Sequence, residues 1–189
     1  MPTVSFHEHS PSDAAAAATA AAQATVTVAR MEMTGRVIRQ QEWFALANLA
    51  RDFADGAIHI LDGGTIEVRG VHDQSGVERA VADIPAEETT DFPTAPRDDA
   101  APIGWLDEDC EPGRVNLGAG VYGRRLPAAH VDILGALEVP VTVTQRGSLI
   151  FHDIAEGDAY VVLRVLAPRG FIFDANSPHL DESLRAEDS

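Results

Sequence analysis

One order of elements occurs twice along this chain, and that repetition constrains the fold more than any other feature. Residues 25–33 alternate apolar and polar side chains, the period of a half-buried strand, until Thr34-Gly35 breaks the pattern. The stretch Gln40–Phe53 then places Trp43, Leu46, Ala47, Leu49, Ala50 and Phe53 mostly at helical spacing, and Gly56 is available as a left-handed cap. Two strands, 57–61 and 65–71, flank the tight turn Asp62-Gly63-Gly64 and read as a hairpin, followed by a short helix over 76–83. The second half runs the same way: a strand over 115–121, a helix over 127–137, strands over 139–144 and 148–154 around Gln145-Arg146-Gly147, and a helix over 157–167. Gly123-Arg124-Arg125-Leu126 matches Gly35-Arg36-Val37-Ile38, and Gly147-Ser148 matches Gly64-Thr65. The offset is 88 at the first match and 83 at the second, so the second copy is shorter by five residues between them.

Each unit, β-α-β-β-α, covers only one face of a small sheet and is marginal alone. Two copies that pair strands or pack together share one core, giving an α+β molecule with pseudo-two-fold symmetry and a groove between its halves, a common place for a ligand. The expected division is an Ala-rich flexible tail over 1–24, a first half over 25–84, an acidic Pro-rich linker over 85–102, a second half over 103–175 and an acidic tail over 176–189.

Charge narrows the partners. The 189 residues carry 30 acids and 14 bases, a net charge of −16, which disfavours nucleic acid and anionic membrane surfaces. Every base is arginine. A phosphate-loop lysine, a Schiff-base lysine and a lysine general base are therefore excluded, and an anion must be held by Arg, His or backbone N–H groups. The one cysteine, Cys110, excludes an internal disulfide, a four-Cys zinc site and a self-contained iron–sulfur cluster. His59, His72, His130, His152 and His179 show no metal-ligand spacing, and His7 and His9 lie in the N-terminal stretch, so no metal site is expected. With no basic leader and no long apolar run, the expected location is cytoplasmic.

The segments TVTVARMEMTGRVIRQQEWFALANLARDFADGAIHILDGGTIEVRGV and GRVNLGAGVYGRRLPAAHVDILGALEVPVTVTQRGSLIFHDI resemble the ferredoxin-like half-domains of the nitrite and sulfite reductase family, the second being most similar to its precorrin-3B synthase branch. The resemblance implies two tandem ferredoxin-like half-domains that cover a sirohaem-type cofactor and its anionic substrate. It also implies that catalysis, with its sirohaem and 4Fe-4S cluster, sits on separate domains, so this chain alone carries no resident cofactor and is not catalytic by itself. The family's first hairpin carries Thr-x-Arg-Gln; here Leu61-Asp62-Gly63-Gly64 stands in its place, and Asp62 repels a polycarboxylate. The second hairpin keeps Thr144-Gln145-Arg146. Arg146 and Thr144, with Arg124 and Arg36 after the first strand of each half, are the candidate ligand-binding residues, because guanidinium suits bidentate carboxylate recognition. Arg36, Arg124 and Arg125 are expected to pair with the many nearby acids, the alternative being a small basic spot that attracts an anion. Three roles follow: a stand-alone module for a tetrapyrrole or small anion, one part of a split oxidoreductase completed by a Cys-rich catalytic subunit, or a structural or regulatory homodimer.

Overall fold

The structure is a computed structural model that describes residues 4–9, 26–82, 84, 101–106 and 110–180. It is an α+β fold of two antiparallel sheets and four α-helices among the described residues. The elements are β1 (Val4–His9), β2 (Val26–Glu32), β3 (Val37–Ile38), α1 (Gln40–Phe53), β4 (Ala57–Leu61), β5 (Thr65–Arg69), α2 (Gln74–Ala82), β6 (Gly104–Leu106), β7 (Arg114–Val121), β8 (Arg125–Pro127), α3 (Ala128–Ala136), β9 (Val141–Val143), β10 (Leu149–Ala155), α4 (Glu156–Leu166) and β11 (Phe171–Ile172). Sheet 1 has the order β1-β2-β5-β4-β8 and sheet 2 the order β11-β7-β10-β9-β3, with β6 on the same side of β7 as β11.

Each sheet closes with a strand from the other half of the chain. Strand β8 pairs with β4, and β3 pairs with β9. The step Gly35-Arg36 leads into β3, and Gly123-Arg124 leads into β8. These short strands have no length to be stable alone; their backbone groups are satisfied by the partner half.

The inner faces of both sheets and the helices form one hydrophobic cluster. In sheet 1 it takes Ala29, Met31, Ile58, Ile60, Ile66 and Val68; α1 adds Trp43, Leu46, Ala47, Leu49 and Ala50, all fully buried. Helix α1 runs antiparallel to α3: Arg51 at its end pairs with Asp132 at 2.5 Å, while Gln40 at its start donates to Glu138 at 3.2 Å. Gly135 permits this approach, since a Cβ there would lie 2.9 Å from the Phe44 ring.

One reading changes. Val4–His9, expected to belong to a flexible tail, is an edge strand paired with β2 from Val4↔Met31 to His9↔Val26. Val4 and Phe6 face the side of Met31 and Ala29 and pack on the core, the alternation a short strand needs. The remainder of that tail, residues 85–100 of the linker and 181–189 of the C-terminal tail lie outside the described residues.

Candidate functional site

Cross-strand register puts a charged row on the outer face of sheet 1. Arg30 faces Glu67, Glu67 faces His59, and His59 faces Arg125. Arg69 follows two residues after Glu67 on the same face. Alternation dictates this set: Ala29, Met31, Ile58, Ile60, Ile66 and Val68 take the core side, so their neighbours take the other.

Glu67 organises the row. Its side chain is 3% exposed and accepts from Arg30 Nε at 2.6 Å and Arg69 Nε at 2.7 Å. Burial pushes its pKa up, but the Arg69 and Arg30 hydrogen bonds outweigh burial and hold the carboxyl below its ordinary value. The side chains of Arg30 and Arg69 remain 41 and 46% exposed, so one buried carboxylate orients two cations that stay partly open to solvent. His59 is buried, and among the described residues its Nε2 has no hydrogen-bond partner. Burial and then the Arg69 charge lower its pKa, so the ring is neutral at pH 7. Arg125 is exposed at the end of the row.

The same register positions of sheet 2 hold a different set. Gly118 faces Ile150, Ile150 faces Thr142, and Thr142 faces Val37. This row carries no charge and is covered by the chain itself: a Cβ on Gly118 would stand 2.2 Å from the Pro102 carbonyl oxygen. Ala101 and Leu180, with Ile103 and Ile172, form a second small core there. His152 is sealed into this sheet, its Nε2 2.8 Å from Thr142 Oγ1, and burial pushes its pKa down to about 4.

The candidates from sequence fall mainly where the two hairpin turns meet. Gly63 N–H donates to the Gln145 carbonyl at 2.7 Å, Thr34 Oγ1 to the Gly63 carbonyl at 2.7 Å, and Gln145 Nε2 to Thr34 Oγ1 at 3.3 Å. Arg124 crosses the second turn, its Nη1 3.1 Å from where a Cβ on Gly147 would stand, and pairs with Asp62 at 2.9 Å. Asp62 is thereby engaged by a cation of the other half. Thr144 is buried, its Oγ1 2.8 Å from Ser148 Oγ and accepting the Ser148 N–H at 3.1 Å. It shapes the turn that presents half-buried Arg146. Arg36 lies 3.8 Å from Glu42, whose carboxylate also accepts the Arg39 N–H. The expected pairing with acids holds for Arg36 and Arg124, each of which faces a carboxylate, and Arg125 joins the row of sheet 1.

Among the described residues no three His, Cys, Asp or Glu side chains gather where they could hold a metal ion, and no helix is long and apolar enough to cross a membrane. No family model and no curated protein matches the chain.

Proposed function

We propose that the chain is a tandem pair of ferredoxin-like half-domains related by pseudo-two-fold symmetry. In this reading it is a binding module that holds an anionic, carboxylate-rich ligand of the tetrapyrrole class on sheet 1 and does no redox chemistry by itself. The observation that carries the reading is the row Arg30–Glu67–His59–Arg125 with Arg69. It sets Arg30, Arg69 and Arg125 around the buried Glu67, with exposed Glu32 at the end of the same face, on a protein whose net charge is −16, beside a buried imidazole nitrogen that has no hydrogen-bond partner among the described residues. A concentration of cations on an acidic molecule attracts anions locally while the rest of the surface repels them, and guanidinium pairs recognise carboxylates bidentately. Arg146, presented by the Thr144–Ser148 turn beside the β4–β5 turn, is a second cation assigned to the ligand in this reading. The neutral His59 Nε2 adds a hydrogen bond without adding charge.

The matching element order of the two halves and the matched rows of the two sheets support the duplication. In this reading the copies have divided their roles: sheet 2 lost charge and gained a covering segment, and sheet 1 kept the charge.

A ligand that binds only the native state raises the melting temperature by mass action, by about 2.7 kcal/mol in stability at a hundred times its Kd. Uroporphyrin, a porphyrin octacarboxylate, and sirohaem are expected to raise it saturably; inorganic phosphate at equal charge is expected to do so weakly. Arg69→Ala and Arg146→Ala are expected to reduce the rise. No shift with either tetrapyrrole overturns the reading.

A further inference from the structure

Among the described residues the large hydrophobic side chains left exposed are Trp105, Tyr122, Tyr160 and Val161, at 39, 61, 63 and 55%. They gather along one edge of sheet 2. Trp105 lies on β6 and stacks on Tyr160 of α4, ring centroids 5.2 Å apart at 54°. Tyr122 follows β7, beside β11, in edge contact with His179 at 5.8 Å. Both β6 and β11 pair with the same side of β7, and among the described residues neither has a strand on its other side.

A free strand edge ordinarily carries a guard, such as an inward charge, a proline or a bulge. Gly104-Trp105-Leu106 has no inward charge, proline or bulge; its protection is its length of three residues and the Cys110 Sγ against the Leu106 carbonyl, and it places an aromatic pair beside the edge that faces away from β7. We propose that β6 is a docking edge for an extended, basic segment of a partner protein, which adds as a strand and seats an apolar side chain against Trp105 and Tyr160.

Charge selects this occupant over a second copy. Exposed Glu111 and Asp158 lie close enough to Arg114, opposite the end of β6, to raise its pKa, and exposed Glu156 begins α4. Asp174 follows Phe173, whose carbonyl lies 3.2 Å from where a Cβ on Gly104 would stand. Of the bases nearby, Arg114 is held by Asp153 at 2.6 Å, and Arg164 lies one turn beyond Tyr160. Two copies at −16 each repel across such an edge, whereas arginines alternating with apolar residues on a strand meet acids on one side and aromatics on the other.

Trp43 is fully buried, so acrylamide quenching of tryptophan emission reports on Trp105. The peptide Arg-Val-Arg-Val-Arg-Val is expected to shield it saturably and to bind at least about tenfold more tightly than Arg-Gly-Arg-Gly-Arg-Gly. Tyr160→Ala, at an exposed helical position, is expected to keep the melting temperature and weaken the valine peptide about tenfold. Equal binding of the two peptides, an unaffected Tyr160→Ala, or a free protein that is dimeric with Trp105 already shielded overturns the proposal.

Discussion

Glu67 is the side chain on which the charged row of sheet 1 depends. It is acceptor to two guanidinium groups, and its own burial is tolerated because both are present. Glu67→Gln replaces a charge-assisted pair with neutral contacts and leaves Arg30 and Arg69 without their counter-ion. The expected result is a loss of about 1–3 kcal/mol in urea unfolding at pH 7 together with tighter binding of uroporphyrin, since two cations are released. A second residue-scale prediction concerns acid. The pKa of His152 in the folded protein is about 4 against 6.5 for the free side chain, so the native state binds fewer protons than the unfolded chain between those values. The contribution of His152 is therefore constant above pH 6.5, is lost as pH drops toward 4, and changes no further below it. The loss from this group is of order 3 kcal/mol, and His59, lowered in the same direction, adds to it. Unfolding midpoints measured from pH 7.5 to 4 check this; His152→Gln is expected to flatten the slope. The arginines of the row were visible in the sequence only as scattered bases, because Arg30, Glu67, His59 and Arg125 come from four strands and both halves of the chain. No local pattern reports such a register.

The longer elements were legible because each carries its own period. Helix α1 and strand β4 occupy the ranges their apolar spacing predicts, and the other helices shift by one or two residues at their ends. The strands β3, β6, β8 and β11 were not legible, being two or three residues long and defined by what they pair with. β1 escaped for a related reason, since it precedes an Ala-rich stretch whose composition dominates any window. The covering segment of sheet 2 belongs at this scale. Gly118→Ala places a methyl group against the Pro102 carbonyl and is expected to cost about 1–3 kcal/mol while raising hydrogen exchange at Gly104–Leu106. Gly157→Ala is the comparison: in helix α4, with open space around its Cβ, it is expected to stabilise by about 0.5–1 kcal/mol and to leave that exchange unchanged.

At the scale of the molecule, the two halves share strands, a helix pair and a core, so the chain is one cooperative unit rather than two. The exchange of β3 and β8 also brings the hairpin turns together, and Arg124 of one half neutralises Asp62 of the other. Asp62, expected from sequence to repel a polycarboxylate, is thus paired with a cation of the other half. The central claim is that the two sheets, alike in register, differ in what they do: sheet 1 binds an anion and sheet 2 is closed by its own chain. Chemical-shift mapping of the 15N-labelled protein during a titration with uroporphyrin tests this most directly, because both rows are read in one spectrum. The account predicts saturable shifts at the amides of Arg30, His59, Glu67 and Arg69 and at the guanidinium Nε–H of Arg69 and Arg125, with Gly118, Thr142 and Ile150 unmoved. Shifts centred on the sheet 2 row, or no saturable shift on sheet 1, contradict it.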